Sequence, residues 1–159
     1  MKIECFIDGK TLSLSLNSNK PLSLILNEEL GTNSVNAHCR GNMCGLCIVL
    51  LNGKAVLSCM VPAFELQGKE VTTFEAYSKT RNIKDIEKAY EAIGTMPCEE
   101  CYASHTLLIE SLVAQGETRR DVIIREMSIL SCSCVDAEDN VATVIKAVEI
   151  RRKRRVRRS

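Results

Sequence analysis

Apolar and polar residues alternate from the start of the chain. Ile3, Cys5 and Ile7 fall on one side of IECFID, and Leu12, Leu14 and Leu16 on one side of LSLSL. Asp8-Gly9 between them is a tight-turn pair, so the pattern predicts a β-hairpin with one apolar face. Cys5 lies on that face and is expected to be a small buried hydrophobe rather than a ligand. In PLSLILNEELG, Pro21 suits the first turn of a helix, Gly31 suits a C-cap, and Leu22, Leu26 and Leu30 are spaced helically, which predicts one short helix against the sheet. A second hairpin is predicted where Asn52-Gly53 separates IVLL from KAVL. A two-residue turn there pairs Leu51 with Lys54 and, counted outward, sets Cys47 close to Ser58 and Cys59.

The period then changes. Four amphipathic helices are predicted at roughly 82–93, 103–115, 119–130 and 140–151. Ile83, Ile86, Tyr90 and Ile93 form a stripe in the first, and Val141, Val144, Ile145 and Val148 in the last. Gly116 ends the second helix, and Thr118 to Asp121 resembles a capping box that opens the third. So short a connection implies antiparallel packing, which brings Cys98 and Cys101, before the second helix, close to Cys132 and Cys134, after the third.

Composition sharpens this picture at the cysteines. A chain of 159 residues with 45% apolar and 26% charged residues can build an ordinary core, and MKIECFIDGK lacks the basic and apolar stretches of a secretion signal. No window has the apolar length of a membrane span. The expected compartment is the cytoplasm, where thiols stay reduced, so nine cysteines point to metal or cluster ligation rather than a disulfide framework. Eight fall into two sets of four: Cys39, Cys44, Cys47 and Cys59, then Cys98, Cys101, Cys132 and Cys134.

Spacing discriminates between fillings of these sets. Cys39, Cys44 and Cys47, spaced C-x4-C-x2-C with a later cysteine, follow the plant-type 2Fe-2S pattern, whereas structural zinc sites usually come as paired short knuckles. Gly41, Asn42 and Gly45 suit a loop that encloses a bound group. The second set, C-x2-C then C-x-C, is compatible with a cluster, with zinc, or with no metal. Because both sets already have four cysteines, His38 and His105 are expected to face solvent or to lie behind the ligands.

Charge is uneven. The formal net charge is +1, but RRKRRVRR at 151–158 carries seven positive charges, leaving the body near −6. That stretch is expected to be a solvated continuation of the last helix; binding to nucleic acid, anionic lipid or an acidic partner surface is the competing reading. The scarcity of aromatic residues argues against nucleic acid.

The order of these motifs resembles the small iron-sulfur subunit of the molybdenum hydroxylases, the family of xanthine dehydrogenase, aldehyde oxidase and carbon monoxide dehydrogenase. IDGK, CRGNMCGLCIVLLNGKAVLSCMVPA and VTTFEA look like its ferredoxin-like domain, while PCEEC and SILSCSC followed by VIKAV resemble its helical domain. The resemblance implies an α+β chain: a β-grasp 2Fe-2S ferredoxin-like domain over 1–77, an all-α four-helix 2Fe-2S domain over 78–150, and a basic tail over 151–159. It also implies an electron-transfer role, from molybdopterin on a large subunit through two 2Fe-2S clusters towards FAD on a medium subunit. Xanthine or another purine is the default substrate, and no substrate-converting site is expected on this chain. A free-standing two-cluster carrier and a metal protein with zinc in the helical site are the alternatives.

Departures surround the ligands. Arg40 and Asn42 stand where the family has glycines, Pro97 replaces a glutamine that meets the pterin, and Tyr102, Ala103 and Ser104 replace T-P-G. Glu99 and Glu100 sit between the cysteines, and Ser133 replaces an arginine. Added carboxylates and a missing arginine are expected to disfavour the reduced form of the second cluster and so lower its potential.

Overall fold

Residues 2–15, 19–35 and 44–158 are described by a computed structural model. The first hairpin forms as its alternation requires. Strands β1 (Lys2–Ile7) and β2 (Lys10–Ser15) pair antiparallel, with Ile7 opposite Lys10. Asp8 and Gly9 both take positive φ in the turn. Ile3, Cys5 and Ile7 are buried, so Cys5 is the core hydrophobe its position implies, and burial raises its thiol pKa. Helix α1 (Leu22–Leu30) starts after Pro21 and ends at Gly31, whose φ of 62° provides the left-handed C-cap. Leu22 and Leu26 are buried against the sheet, but Leu30 is exposed because the helix ends as its face turns outward.

The second hairpin, β3 (Ile48–Leu51) and β4 (Lys54–Leu57), has the expected register, with Leu51 opposite Lys54 across Asn52-Gly53. A short strand that alternation is too brief to reveal, β5 (Glu70–Thr72), joins the two hairpins. It runs parallel to β1 and antiparallel to β3, giving the order β2-β1-β5-β3-β4. A single turn of helix, α2 (Phe74–Tyr77), leads out of the sheet.

The remaining helices are α3 (Asn82–Ile93), α4 (Tyr102–Ala114), α5 (Arg120–Met127) and α6 (Ala137–Arg158). A mixed sheet joined to helices makes the chain α+β. Helix α4 is apolar around most of its circumference and buried along most of its length, which is how a helix between two layers must read. Its hydroxyls also meet the sheet: Ile48 and Ala55 donate their backbone N–H groups to Ser104 Oγ and Ser111 Oγ, at 3.4 and 3.0 Å. Helix α5 is shorter than its pattern suggested, and the capping box at Thr118 is not formed. Glu117 accepts the Arg119 backbone N–H at 2.9 Å and grips its guanidinium, while Arg119, the N-cap residue, makes no side-chain cap of its own.

Helix α6 continues through 151–158, as expected, but that stretch is not solvated throughout: Arg151 is only 2% exposed. Arg151 Nε donates to Asp85 of α3 at 2.8 Å, while its two Nη atoms donate to Glu110 of α4 at 2.9 and 2.7 Å and to the Asn82 carbonyl at 3.1 Å. Arg154 adds bonds to Asp85 and Asn82, and the Tyr77 hydroxyl donates to Glu110 at 2.7 Å. Burial alone would raise the Asp85 pKa, but the bonds from Arg154 and Arg151 outweigh it and hold the carboxyl below its ordinary value. A one-dimensional pattern reads this stretch as a solvated cationic run because nothing local marks one arginine as the partner of two distant carboxylates.

Removing that guanidinium would strand both acids. Arg151→Met is expected to lower unfolding free energy by about 3–5 kcal/mol, whereas the same change at exposed Arg155 stays within about 0.5 kcal/mol, both read from urea denaturation.

Candidate metal centre

Four thiols converge where α4 begins. Cys101 caps its N-terminus and is buried, Cys98 precedes it, and Cys132 and Cys134 arrive from the segment after α5. All four sulfurs lie within 4.8 Å of one another, with Sγ to Sγ distances of 3.5 Å for Cys98 and Cys101, 3.6 Å for Cys98 and Cys132, and 3.2 Å for Cys101 and Cys134. The Cys98 backbone N–H donates to Cys134 Sγ at 3.4 Å. Hydrogen bonds from the backbone and side chain of Cys101, then from Cys132, hold the Cys98 thiol down to about 7. Burial and the neighbouring sulfurs push Cys101 upward. Four thiolates cannot coexist in so small a volume without a cation, so the donor set fits a metal ion or cluster. The α4 dipole adds positive potential at the same end.

The substitutions around this set are now placed. Pro97 is buried, while Glu99, Glu100, Ser133 and Cys134 are exposed. Both carboxylates therefore stand in water, where screening reduces their influence on the sulfurs.

In the first set, the hairpin register carries Cys47 to Ser58. The Ser58 backbone N–H and hydroxyl both donate to the Cys47 carbonyl, at 3.1 and 2.6 Å. Cys47 is buried, and Cys44 and Cys59 are partly so, Cys59 lying in a 3-10 turn over Ser58–Met60. Cys39 lies outside the described residues, as do His38, Arg40, Gly41 and Asn42. Among the described residues, the convergent thiol group is the second set alone.

The two cysteine segments are fastened together. Ser131, next to Cys132, donates its backbone N–H and its hydroxyl to the Cys44 carbonyl, at 3.2 and 3.0 Å. Gly45 makes the approach possible: its φ is 80°, and a Cβ there would stand 2.8 Å from the Ile129 carbonyl oxygen.

Behind the second set lies a buried polar network that sequence reasoning missed. His105 is 2% exposed, so of the two expected positions it takes the one behind the thiols and does not face solvent. Its Nε2 is 2.8 Å from Asn140 Oδ1 and its Nδ1 is 3.1 Å from the Tyr90 hydroxyl, which also meets Thr106 Oγ1 at 2.9 Å. With the asparagine oxygen as acceptor, Nε2 carries the proton and Nδ1 accepts from Tyr90. Burial pushes the His105 pKa down to about 4, against the opposing effect of Asn140. Polar residues at core-facing helical positions were the available signal, with Tyr90 on the apolar stripe of α3 and His105 one turn beyond Cys101.

Comparison with known proteins agrees with this arrangement. No protein-family model matches the chain. It is 30% identical over 146 residues to the xanthine dehydrogenase iron-sulfur-binding subunit of Escherichia coli O157:H7, covering 90% of this chain and 91% of that one. It is 26% identical over 144 residues to the nicotinate dehydrogenase small FeS subunit of Eubacterium barkeri, covering 90% and 92%. Among solved structures, quinoline 2-oxidoreductase from Pseudomonas putida 86 shares the fold over 96% of both chains, with a TM-score of 0.75 at 24% identity. Aldehyde oxidoreductase from Desulfovibrio desulfuricans matches 96% of this chain with a TM-score of 0.77 at 22% identity, using only 17% of its own much longer chain.

The geometry sets two expected outcomes. Gly45→Ala should cost about 1–3 kcal/mol in denaturant unfolding, from left-handed backbone strain and collision with the Ile129 carbonyl, and Ser131→Ala about 1 kcal/mol. His105 is neutral when folded but takes up a proton more readily when unfolded, so stability falls as pH drops from about 6.5 to about 4. Its share is roughly 2 to 3 kcal/mol, read as the difference in pH slope between wild type and His105→Gln.

With cysteine sets of this spacing, a fold of this kind and 30% identity across nine-tenths of a relative of similar length, the chain belongs to the small iron-sulfur subunits of the molybdenum hydroxylase family.

Proposed function

We propose that this chain is the electron-transfer subunit of a molybdenum hydroxylase, carrying electrons from molybdopterin on a large subunit towards FAD on a medium subunit. The observation that carries this reading is the convergence of Cys98, Cys101, Cys132 and Cys134 at the start of α4, in a chain that also retains Cys39, Cys44, Cys47 and Cys59. Each set would hold one 2Fe-2S cluster, which supplies reversible one-electron chemistry. On this reading, the sheet half over 1–77 is a β-grasp ferredoxin-like domain and the helices over 78–150 are a four-helix cluster domain.

The chain's own residues would do the positioning. Buried Cys101 excludes water from one side of the second set, while exposed Cys134 leaves the other side open to a partner. Ser131 and Gly45 hold the second cysteine segment against the first. Neutral His105, Tyr90 and Asn140 form a fixed polar backing that adds no charge. A xanthine-type substrate fits the 30% relative by analogy, with its contacts belonging to the large subunit.

Zinc at the second set is a competing reading, supported by the compactness of the thiols. A tetrahedral site with Zn–S bonds of about 2.3 Å has sulfur edges of about 3.8 Å, close to the separations of 3.2–3.6 Å between neighbouring thiols.

Iron, acid-labile sulfide and zinc should be measured per chain on anaerobically purified protein. About four irons and four sulfides are expected from two 2Fe-2S groups. Half of each, with zinc making up the rest, would assign the second set to zinc and end the proposed path to molybdenum.

A further inference from the structure

A cavity of about 350 Å³ opens between α3 and the C-terminal half of α6, walled by Lys88, Lys153, Arg154, Arg157 and Arg158 over the side chain of Ile150. The one carboxylate in its lining, Asp85, is 1% exposed and already bound by Arg151 and Arg154. It balances Arg154, as Glu110 does Arg151, which leaves Lys88, Lys153, Arg157 and Arg158 as the cations facing the groove. Arg154 is held in the wall: its Nε is 3.0 Å from Asp85 Oδ1, and one Nη is 2.6 Å from Asn82 Oδ1 and 2.8 Å from Asp85 Oδ2. A guanidinium fixed in this way gives up little conformational freedom on meeting an incoming acid. Lys153 is tethered to Glu149 one turn back, while Arg157 and Arg158 are exposed.

We propose that this groove is a docking site for a carboxylate-rich peptide segment of a partner subunit, an inference that rests on the reading of the chain as part of a larger complex. Three features select that occupant. The arginines present the forked donors that match carboxylates. In the stretch 151–158, Val156 is the single apolar side chain, so this end of α6 has no apolar face to sink into a lipid surface. The lining has no aromatic ring on which a nucleic-acid base could stack, and a concave groove with an aliphatic floor accommodates extended side chains better than a flat surface does.

Charge distribution also favours one orientation. The body of the chain is near −6 once 151–158 is set aside, so an acidic partner is repelled by most of the surface and drawn to this end. Helix α6 has 22 residues and therefore spans about 33 Å, which places this groove far from the second cysteine set near its start. A partner held here leaves the thiol face free for electron transfer.

The test uses the full-length chain as purified, with a fluorescently labelled oligo-glutamate peptide as probe and anisotropy as the readout. Binding at low salt that weakens as salt rises is expected, and the pair Arg157→Glu with Arg158→Glu should reduce affinity at least about tenfold. A double reversal on the sheet half, Lys2→Glu with Lys10→Glu, makes the same change in net charge and should have little effect. Both reversals concern exposed side chains outside the Arg151 network, and unchanged melting temperatures confirm folding. No peptide binding, or equal loss in both reversals, overturns the proposal. It is also overturned if the variant instead loses affinity for phosphatidylserine vesicles or single-stranded RNA that the wild type binds more tightly than the peptide. Iron and sulfide content is measured on the same samples: low iron with intact peptide binding counts against the electron-transfer reading alone, and full iron without peptide binding against the groove alone.

Discussion

The buried guanidinium of Arg151 is the contact around which the helical half is organised. It reaches α3 through Asp85 and Asn82 and α4 through Glu110, and Tyr77 joins the group from α2. Two buried carboxylates would be untenable without it, and the cation would be equally untenable without them. The cluster thus fixes the axial positions of three helices at one end. The position of α4 matters most, because its other end carries Cys101 into the thiol group.

A second constraint joins the two halves. Helix α4 lies against β3 and β4, and its serines satisfy backbone N–H groups of Ile48 and Ala55. On the cysteine side, the Cys44 carbonyl takes both donors of Ser131 across the bare Cα of Gly45. The cysteine segments therefore meet through short-range, directional contacts rather than across a loose linker. An electron carrier benefits from such stiffness, since the separation of its sites then varies little. The buried His105 network serves the same end, filling the space behind the thiols with neutral, mutually satisfied polar groups.

The helix end beyond Arg151 shows how one run of charge can divide its work. Arg151 and Arg154 are bound inward to Asp85, while Arg157 and Arg158 remain at the surface of a groove. Sequence treats these arginines alike. Their difference comes from position along α6 rather than from side of the helix: Arg151, Arg154 and Arg158 lie within about 60° of one another, but Asp85 and Asn82 of α3 hold only the first two.

Much of the fold was legible because its determinants are local. Asp8-Gly9 and Asn52-Gly53 specify two-residue turns, and those turns set the register that carries Cys47 to Ser58. Periodicity located α3 to the residue, and the order of helices and cysteines foretold which thiols of the second set would meet. The parallel pairing of β5 with β1 was not legible, since three residues hold too little pattern and their partner lies more than sixty residues away. Nor was the burial of Arg151 and His105, whose partners come from other helices. By itself the sequence determined the turns, the cysteine spacing and hence the family, and most of the helical faces, although Ile145 of the predicted last stripe is 40% exposed where Val141, Val144 and Val148 are buried. Only the tertiary structure decided which polar residues leave water, because the free energy of burying a charge or an imidazole depends on partners that chain order does not reveal.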